Sequence, residues 1–210
     1  MRVSDQVKEE SRRALVAAAA RAFAERGYHG AGIDEVSVDA GLAKGTVYNY
    51  FPSKRAIFEA VLLEACRLAA ESADAIPADA PAGERLRAFV AGNLVWGKVN
   101  PGLSTVFARA LTGGDEDDRA LLLDAALPCI EKVAAILGDG AARGELRFEA
   151  PPRVLAITFL GLANTLLLQS RAPGVGWPAI DDLPAVAAGL FLDGLRERDG
   201  RGADRAAGGD

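Results

Sequence analysis

The stretch that most constrains this chain is residues 33–54, IDEVSVDAGLAKGTVYNYFPSK, in which two short helical patterns flank a glycine. Ile33, Val36 and Ala40 share one helical face at i, i+3 and i+7, while Asp34, Glu35 and Asp39 lie off it. Acids in the first turn suit the positive end of a helix dipole. Gly41 can take the left-handed conformation that other residues resist, so it stops the first helix. Beyond it Leu42, Val47 and Phe51 can close onto the first helix's apolar face, and Pro52 ends the second segment. Lys44, Thr46, Tyr48, Asn49 and Tyr50 are left to point outward.

Two short helices joined in this way fit the major groove of DNA, where side chains of the second helix reach base edges and phosphates together. Thr46 can hydrogen-bond to a phosphate or donate to a base, and Asn49 can pair with adenine. Tyr48 and Tyr50 offer rings to thymine methyls and hydroxyls to phosphate, and Lys44 and Lys54 place charge at either end. An αα-hairpin of any helical bundle also has a polar outer face, and periodicity alone leaves both readings open.

The longer run Arg13–Leu63 resembles the N-terminal domain of TetR-family transcriptional regulators. The resemblance covers about a quarter of the chain and rests on Ala19, Phe23, Gly27 and Tyr28, on residues 41–51 (GLAKGTVYNYF), and on Ser53–Lys54–Arg55–Ala56–Ile57–Phe58. It implies an all-α protein with an N-terminal helix-turn-helix three-helix DNA-binding domain (residues 1–53) and a C-terminal helical-bundle ligand-binding and dimerisation domain (54–198). The DNA-binding set it implies is Lys44, Gly45, Thr46, Tyr48, Asn49, Tyr50 and Lys54. Two positions depart from the pattern: Gly32 stands where a capping Thr is common, and Ala43 where a Ser often caps the recognition helix. Each removes a side-chain oxygen, although glycine is itself a fair cap.

The rest of the sequence agrees with helices throughout. Half of the 210 residues are hydrophobic, alanine and leucine dominate, and no alternating strand pattern recurs. The net charge of −5 divides unevenly. Residues 1–58 carry nine Lys/Arg against seven Asp/Glu, leaving 15 against 22 elsewhere, so the slight basic excess sits on the reader. Cys66 and Cys129 lack CxxC spacing and read as reduced core residues. There is no signal-peptide order at the N-terminus. The most apolar stretch, 154–168, is shorter than the ~20 residues of a membrane span, so a cytoplasmic protein that engages no membrane is expected. His29 is the only histidine and no Gly-rich phosphate loop occurs; together with the lack of paired ExxH motifs this argues against an all-α enzyme and calls for no metal or cofactor. The acids 115–118 suit a helix N-terminus.

Taken in order, a first helix is expected over about 6–26 with Leu15, Ala19, Ala22 and Phe23 inward, stopped by Gly27, after frayed residues 1–5. A long helix follows from Lys54 to about Ala75, then a Pro/Ala-rich loop over 76–83. Helices over 83–99, 103–111 and 115–137 come next, the last with Pro128 as a kink, before a connector over 138–152. Pro152 opens a helix to about Arg171 that is apolar nearly all round and so has two partners. A last helix covers about 180–198, with Leu195 on its apolar side, and 199–210 is a disordered tail.

In the family, an effector tilts the long fourth helix and changes the spacing of the two recognition helices. Phe89, Asn93, Trp96, Phe107, Leu127, Phe159, Leu162 and Leu166 are the candidate ligand-binding residues, with Asn164 and Gln169 as further polar groups. The set suits a hydrophobic or amphipathic small-molecule effector. Leu160, Leu167, Val186, Leu190, Phe191 and Gly194 are the candidate homodimer interface. The expected activity is that of a repressor on palindromic double-stranded DNA. A helical ligand-binding or interaction protein without DNA binding is the alternative.

Overall fold

In the computed structural model the described residues are 3–71, 76–113, 116–169 and 179–194, and among them every regular element is helical. The α-helices are α1 Val3–Gly30, α2 Ile33–Asp39, α3 Lys54–Glu71, α4 Ala82–Val99, α5 Pro101–Gly113, α6 Glu116–Ala142, α7 Pro152–Gln169 and α8 Leu183–Leu192. Single 3-10 turns stand at Thr46–Asn49 and Ile180–Asp182. The helices assemble into two compact units: Met1–Ala75 with Gly92–Ile130, and Ile76–Ala91 with Glu131–Asp210.

The first unit is built on α1. Its small inner residues Ala18, Ala19 and Ala22 let neighbours approach closely, while Leu15 and Phe23 fill the space between them. α2, α3 and α5 all pack against it, and α3 also packs against α5. Gly102 shows how close the approach is, because a Cβ there would lie 3.2 Å from the backbone of Ala20 and Arg21. Ile57, Val61, Leu62 and Ala65 of α3 close the core from the other side. Phe23, Tyr28 and Phe58 form a ring cluster with centroids 5.1–5.9 Å apart, Phe58 standing edge-on to Phe23. Such pairs add about 0.5–1.5 kcal/mol each beyond the area they bury.

The second unit packs α7 against α8, with Phe159 and Phe191 meeting at 5.1 Å. The start of α4 is drawn in by polar contacts. Glu145 accepts from the Ala82 N–H at 2.6 Å, Arg85 pairs with Asp139 at 2.8 Å, and Arg143 donates to the carbonyls of Asp79 and Ala80.

Several boundaries differ from those the sequence suggests. α1 begins at Val3, and Gly27 (φ 71°) breaks it as expected, yet one more helical turn follows to Gly30, closed by Ala31 N–H on the Gly27 carbonyl at 3.2 Å. Pro101 opens α5 instead of separating helices, as its missing N–H is harmless at a first turn. α6 runs past Gly138 to Ala142, because Gly140 is wanted for close packing: a Cβ there would meet Ala82 at 2.7 Å. The stop comes at Gly144 (φ 73°), where the Gly144 and Glu145 N–H groups return to the carbonyls of Ala141 and Gly140. α8 ends at Leu192; Leu195, Arg198 and the tail 199–210 lie outside the described residues, as do the side chains of 115–118 and Gln169.

Candidate nucleic-acid interface

The interface is set up by how α2 ends. Ala40 closes the helix and Gly41 turns left-handed at φ 74°, after which Gly41 N–H returns to the Val38 carbonyl and Leu42 N–H to the Ser37 carbonyl, at 3.0 and 2.9 Å. These two bonds satisfy carbonyls the helix end would otherwise leave open. A second left-handed glycine, Gly45 at φ 79°, then introduces the recognition segment. That segment is a short 3-10 turn, Thr46–Asn49, rather than the longer helix the sequence suggests. Two left-handed glycines four residues apart leave little chain between them for regular α-helix.

Each N–H of the turn's first residues has a partner. Thr46 N–H goes to the Ala43 carbonyl and Tyr48 N–H to the Gly45 carbonyl. Val47 N–H donates to the Ser37 hydroxyl at 3.0 Å, and Ser37 is fully buried. Ala43 lacks an oxygen of its own, and the capping hydroxyl comes from α2 instead. Sequence reasoning missed Ser37, although a serine on the same helical side as Ile33 and Val36 is a signal: a polar group on a buried face needs a buried partner. Val47, the apolar centre of the turn, is fully buried, so the turn is fixed to α2 by both a side-chain bond and a packed side chain.

This anchoring decides which side chains stand free. Tyr48 is 53% exposed although large and aromatic, and Asn49 beside it is exposed. Thr46 is half-buried at the start of the turn, and Tyr50 is half-buried against the core. Lys44 is exposed and pairs with Asp34 at 3.5 Å. Lys54 opens α3, where Ser53 caps the helix by accepting the Ala56 N–H at 3.1 Å. Its ammonium donates to the His29 carbonyl at 3.0 Å and sits 5.2 Å from the Tyr28 ring. Arg12 lies over the Phe51 ring at 5.4 Å. α2 is tied to α1 by Arg21 on Asp39 at 2.7 Å and by Arg26 on Glu35.

Residues 15–61 match the model of the bacterial regulatory proteins of the tetR family. Over these residues the chain carries the N-terminal domain of the TetR family. The match takes in the second half of α1, α2, the recognition turn and the start of α3, the parts whose geometry is described above. The HTH-type transcriptional activator FasR of Mycolicibacterium smegmatis is 44% identical over 55 residues, 26% of this chain and 25% of that protein. The sequence match therefore spans about a quarter of that relative's length. Over most of the chain the same helical fold is seen in solved structures. FadR of Bacillus subtilis, in complex with stearoyl-CoA, superposes with a TM-score of 0.76 at 20% identity, covering 88% of this chain and 99% of that one. AibR, in complex with isovaleryl coenzyme A and operator DNA, superposes with a TM-score of 0.67 at 20% identity, covering 87% and 98%. At these identities the likeness establishes the fold.

The remaining residues singled out from the TetR-like sequence pattern fall in the two units as follows. Phe89, Phe159 and Leu166 are buried in the second unit, and Leu162 is half-buried there. In the first unit Asn93, Trp96 and Phe107 are half-buried, while Leu127 is exposed. The Trp96 indole nitrogen is buried without a hydrogen-bond partner. Leu160, Leu167 and Val186 are half-buried, Leu190 is 63% exposed and Gly194 is exposed, whereas Phe191 turns inward onto Phe159. Cys66 and Cys129, 63 positions apart, come together in the first unit, where the Cys129 thiol donates to the Cys66 carbonyl at 3.6 Å. Burial pushes the Cys66 thiol up to about 12, which keeps it protonated and inert. No described helix is long and apolar enough to cross a membrane.

Proposed function

We propose that the chain is a ligand-responsive transcriptional repressor that binds a two-fold-related operator as a homodimer and releases it when an acyl-CoA or similar amphipathic molecule binds the regulatory helices. The reading takes residues 1–53 as the reader and 54–198 as the regulatory part. The observation that carries it is the recognition turn. Its first N–H groups are satisfied by Ser37 of α2 and by the Ala43 and Gly45 carbonyls, yet it leaves Tyr48 and Asn49 exposed to solvent, two side chains able to hydrogen-bond to a partner. Thr46, Lys44 and Lys54 flank that pair and supply phosphate contacts, and Gly45 sets the angle at which the turn leaves the surface.

Three further observations support the regulatory half. Leu190, Ile157 and Leu168 expose apolar surface on α7 and α8, which suits burial against a second copy with Leu160, Leu167, Val186 and Gly194 nearby in sequence. The buried and unpartnered Trp96 N–H costs free energy that a ligand's acceptor can recover. The structures bound to stearoyl-CoA and isovaleryl coenzyme A suggest the effector class, and apolar Phe89, Phe159, Leu162 and Leu166 of the second unit suit an acyl chain. Ligand binding reaches the reader through α3 and α5, both of which pack on α1.

A random-duplex selection followed by addition of stearoyl-CoA tests this reading. Recovery of an inverted repeat whose half-sites lie about one helical turn apart or a multiple of it, with release on adding the thioester, is the expected result. Recovery of no preferred sequence overturns it. An unrelated helical protein with a polar hairpin would give that outcome.

A further inference from the structure

The lysines at the two ends of the recognition segment look equivalent in sequence, and the structure makes them different. Lys54 is held by neutral groups, the His29 carbonyl and the Tyr28 ring, so its full charge remains available to a phosphate. Lys44 is held by a carboxylate, its ammonium 3.5 Å from Asp34. α2 carries three acids in this region, and the other two have tasks within the frame: Asp39 and Glu35 bind Arg21 and Arg26 of α1. Asp34 joins no helix to α1. It faces the residue just before Gly45, next to the turn that carries Tyr48.

We infer that Asp34 neutralises Lys44 and thereby attenuates the reader's affinity for DNA, leaving phosphate attraction to Lys54. This rests on the DNA-reading function proposed above. The Lys44–Asp34 pair is long for a charge-assisted bond and open to water, with side chains 74% and 46% exposed, so a phosphate can take the lysine from it. The exchange leaves a bare carboxylate beside the DNA. That carboxylate draws in a cation as the phosphate gives one up, so the pair releases almost no net counterion, whereas an unpaired lysine on a phosphate releases about 0.9. With only nine Lys/Arg against seven Asp/Glu across residues 1–58, one acid placed here weighs heavily on the reader's field.

The test is the salt dependence of binding, read by fluorescence anisotropy on one selected duplex and one scrambled duplex, for the full chain and for Asp34→Asn, Lys44→Ala and the double variant. Asp34→Asn should steepen the slope of log K against log salt by about 0.9 on both duplexes. It should also tighten binding roughly two- to fivefold near 0.1 M salt, the scale of an exposed ion pair. Lys44→Ala should leave the slope almost unchanged in the parent and flatten it by about 0.9 in the Asp34→Asn background. That non-additivity is what a merely structural Asp34 cannot produce, and thermal melts of the four proteins show whether each is folded. An unchanged slope in a folded Asp34→Asn protein overturns the inference while leaving the DNA-reading function in place. Failure of the parent chain to bind any duplex overturns both.

Discussion

Residues 33–54 and the helices α7 and α8 both display side chains that the fold leaves uncovered, with opposite chemistry. The recognition segment shows Tyr48 and Asn49, whose donors, acceptors and rings name the kind of partner they fit. α7 and α8 show Ile157, Leu168 and Leu190, which say only that something apolar covers them. The first surface is also rigid by construction, since Ser37 and Val47 fix the turn to α2 and two left-handed glycines shape the loop that leads into it. A hydrogen-bonding surface carries its specificity in its atoms, while an apolar one carries it in a shape that its partner completes.

The comparison can be broken from either side. The largest effect belongs to the apolar surface. Leu190→Asp should convert a two-chain species into single chains in analytical ultracentrifugation, with operator affinity falling roughly 10²–10⁴-fold as the second half-site contact becomes bimolecular. An unchanged mass would remove α8 from the interface. On the polar surface, Tyr48→Ala should cost about 1–3 kcal/mol in operator binding with the melting temperature held, because the ring is largely in solvent. Ser37→Ala attacks the frame instead. It leaves the Val47 N–H buried without its acceptor, and chemical denaturation should show a loss of about 1–3 kcal/mol. The smallest expected change is in Lys54→Ala, whose salt slope should flatten by about 1 on operator and scrambled duplexes alike. Equal slopes would mean that the His29 carbonyl keeps this lysine from the phosphates.

How much of this was legible in the sequence follows the same division. The all-α fold and the inner stripes of α1 and α3 come directly from spacing: Leu15, Ala19 and Phe23 are buried where the period puts them, as are Phe58, Val61 and Ala65. Gly41 was readable as a stop because a left-handed glycine follows a short amphipathic run. Gly45 carries the same conformation and reads only as part of a motif, and it shortens the recognition helix to a single turn. Gly138 and Gly140 mislead in the opposite sense, since both lie inside α6, and a glycine that permits close packing, as Gly140 does, looks the same in sequence as one that ends a helix. Long-range polar pairs were invisible. Nothing in spacing joins Ser37 to Val47 ten residues on, Lys44 to Asp34, or Cys66 to Cys129.

The central claim, that the recognition turn reads DNA sequence, is tested most directly by anisotropy of the purified chain on a duplex from just upstream of its own gene, against a scrambled duplex, at two salt concentrations, beside Tyr48→Ala. Salt-sensitive binding with preference for the upstream duplex, lost in a folded Tyr48→Ala protein, is the predicted result. A Tyr48→Ala protein that keeps the full preference would contradict the account.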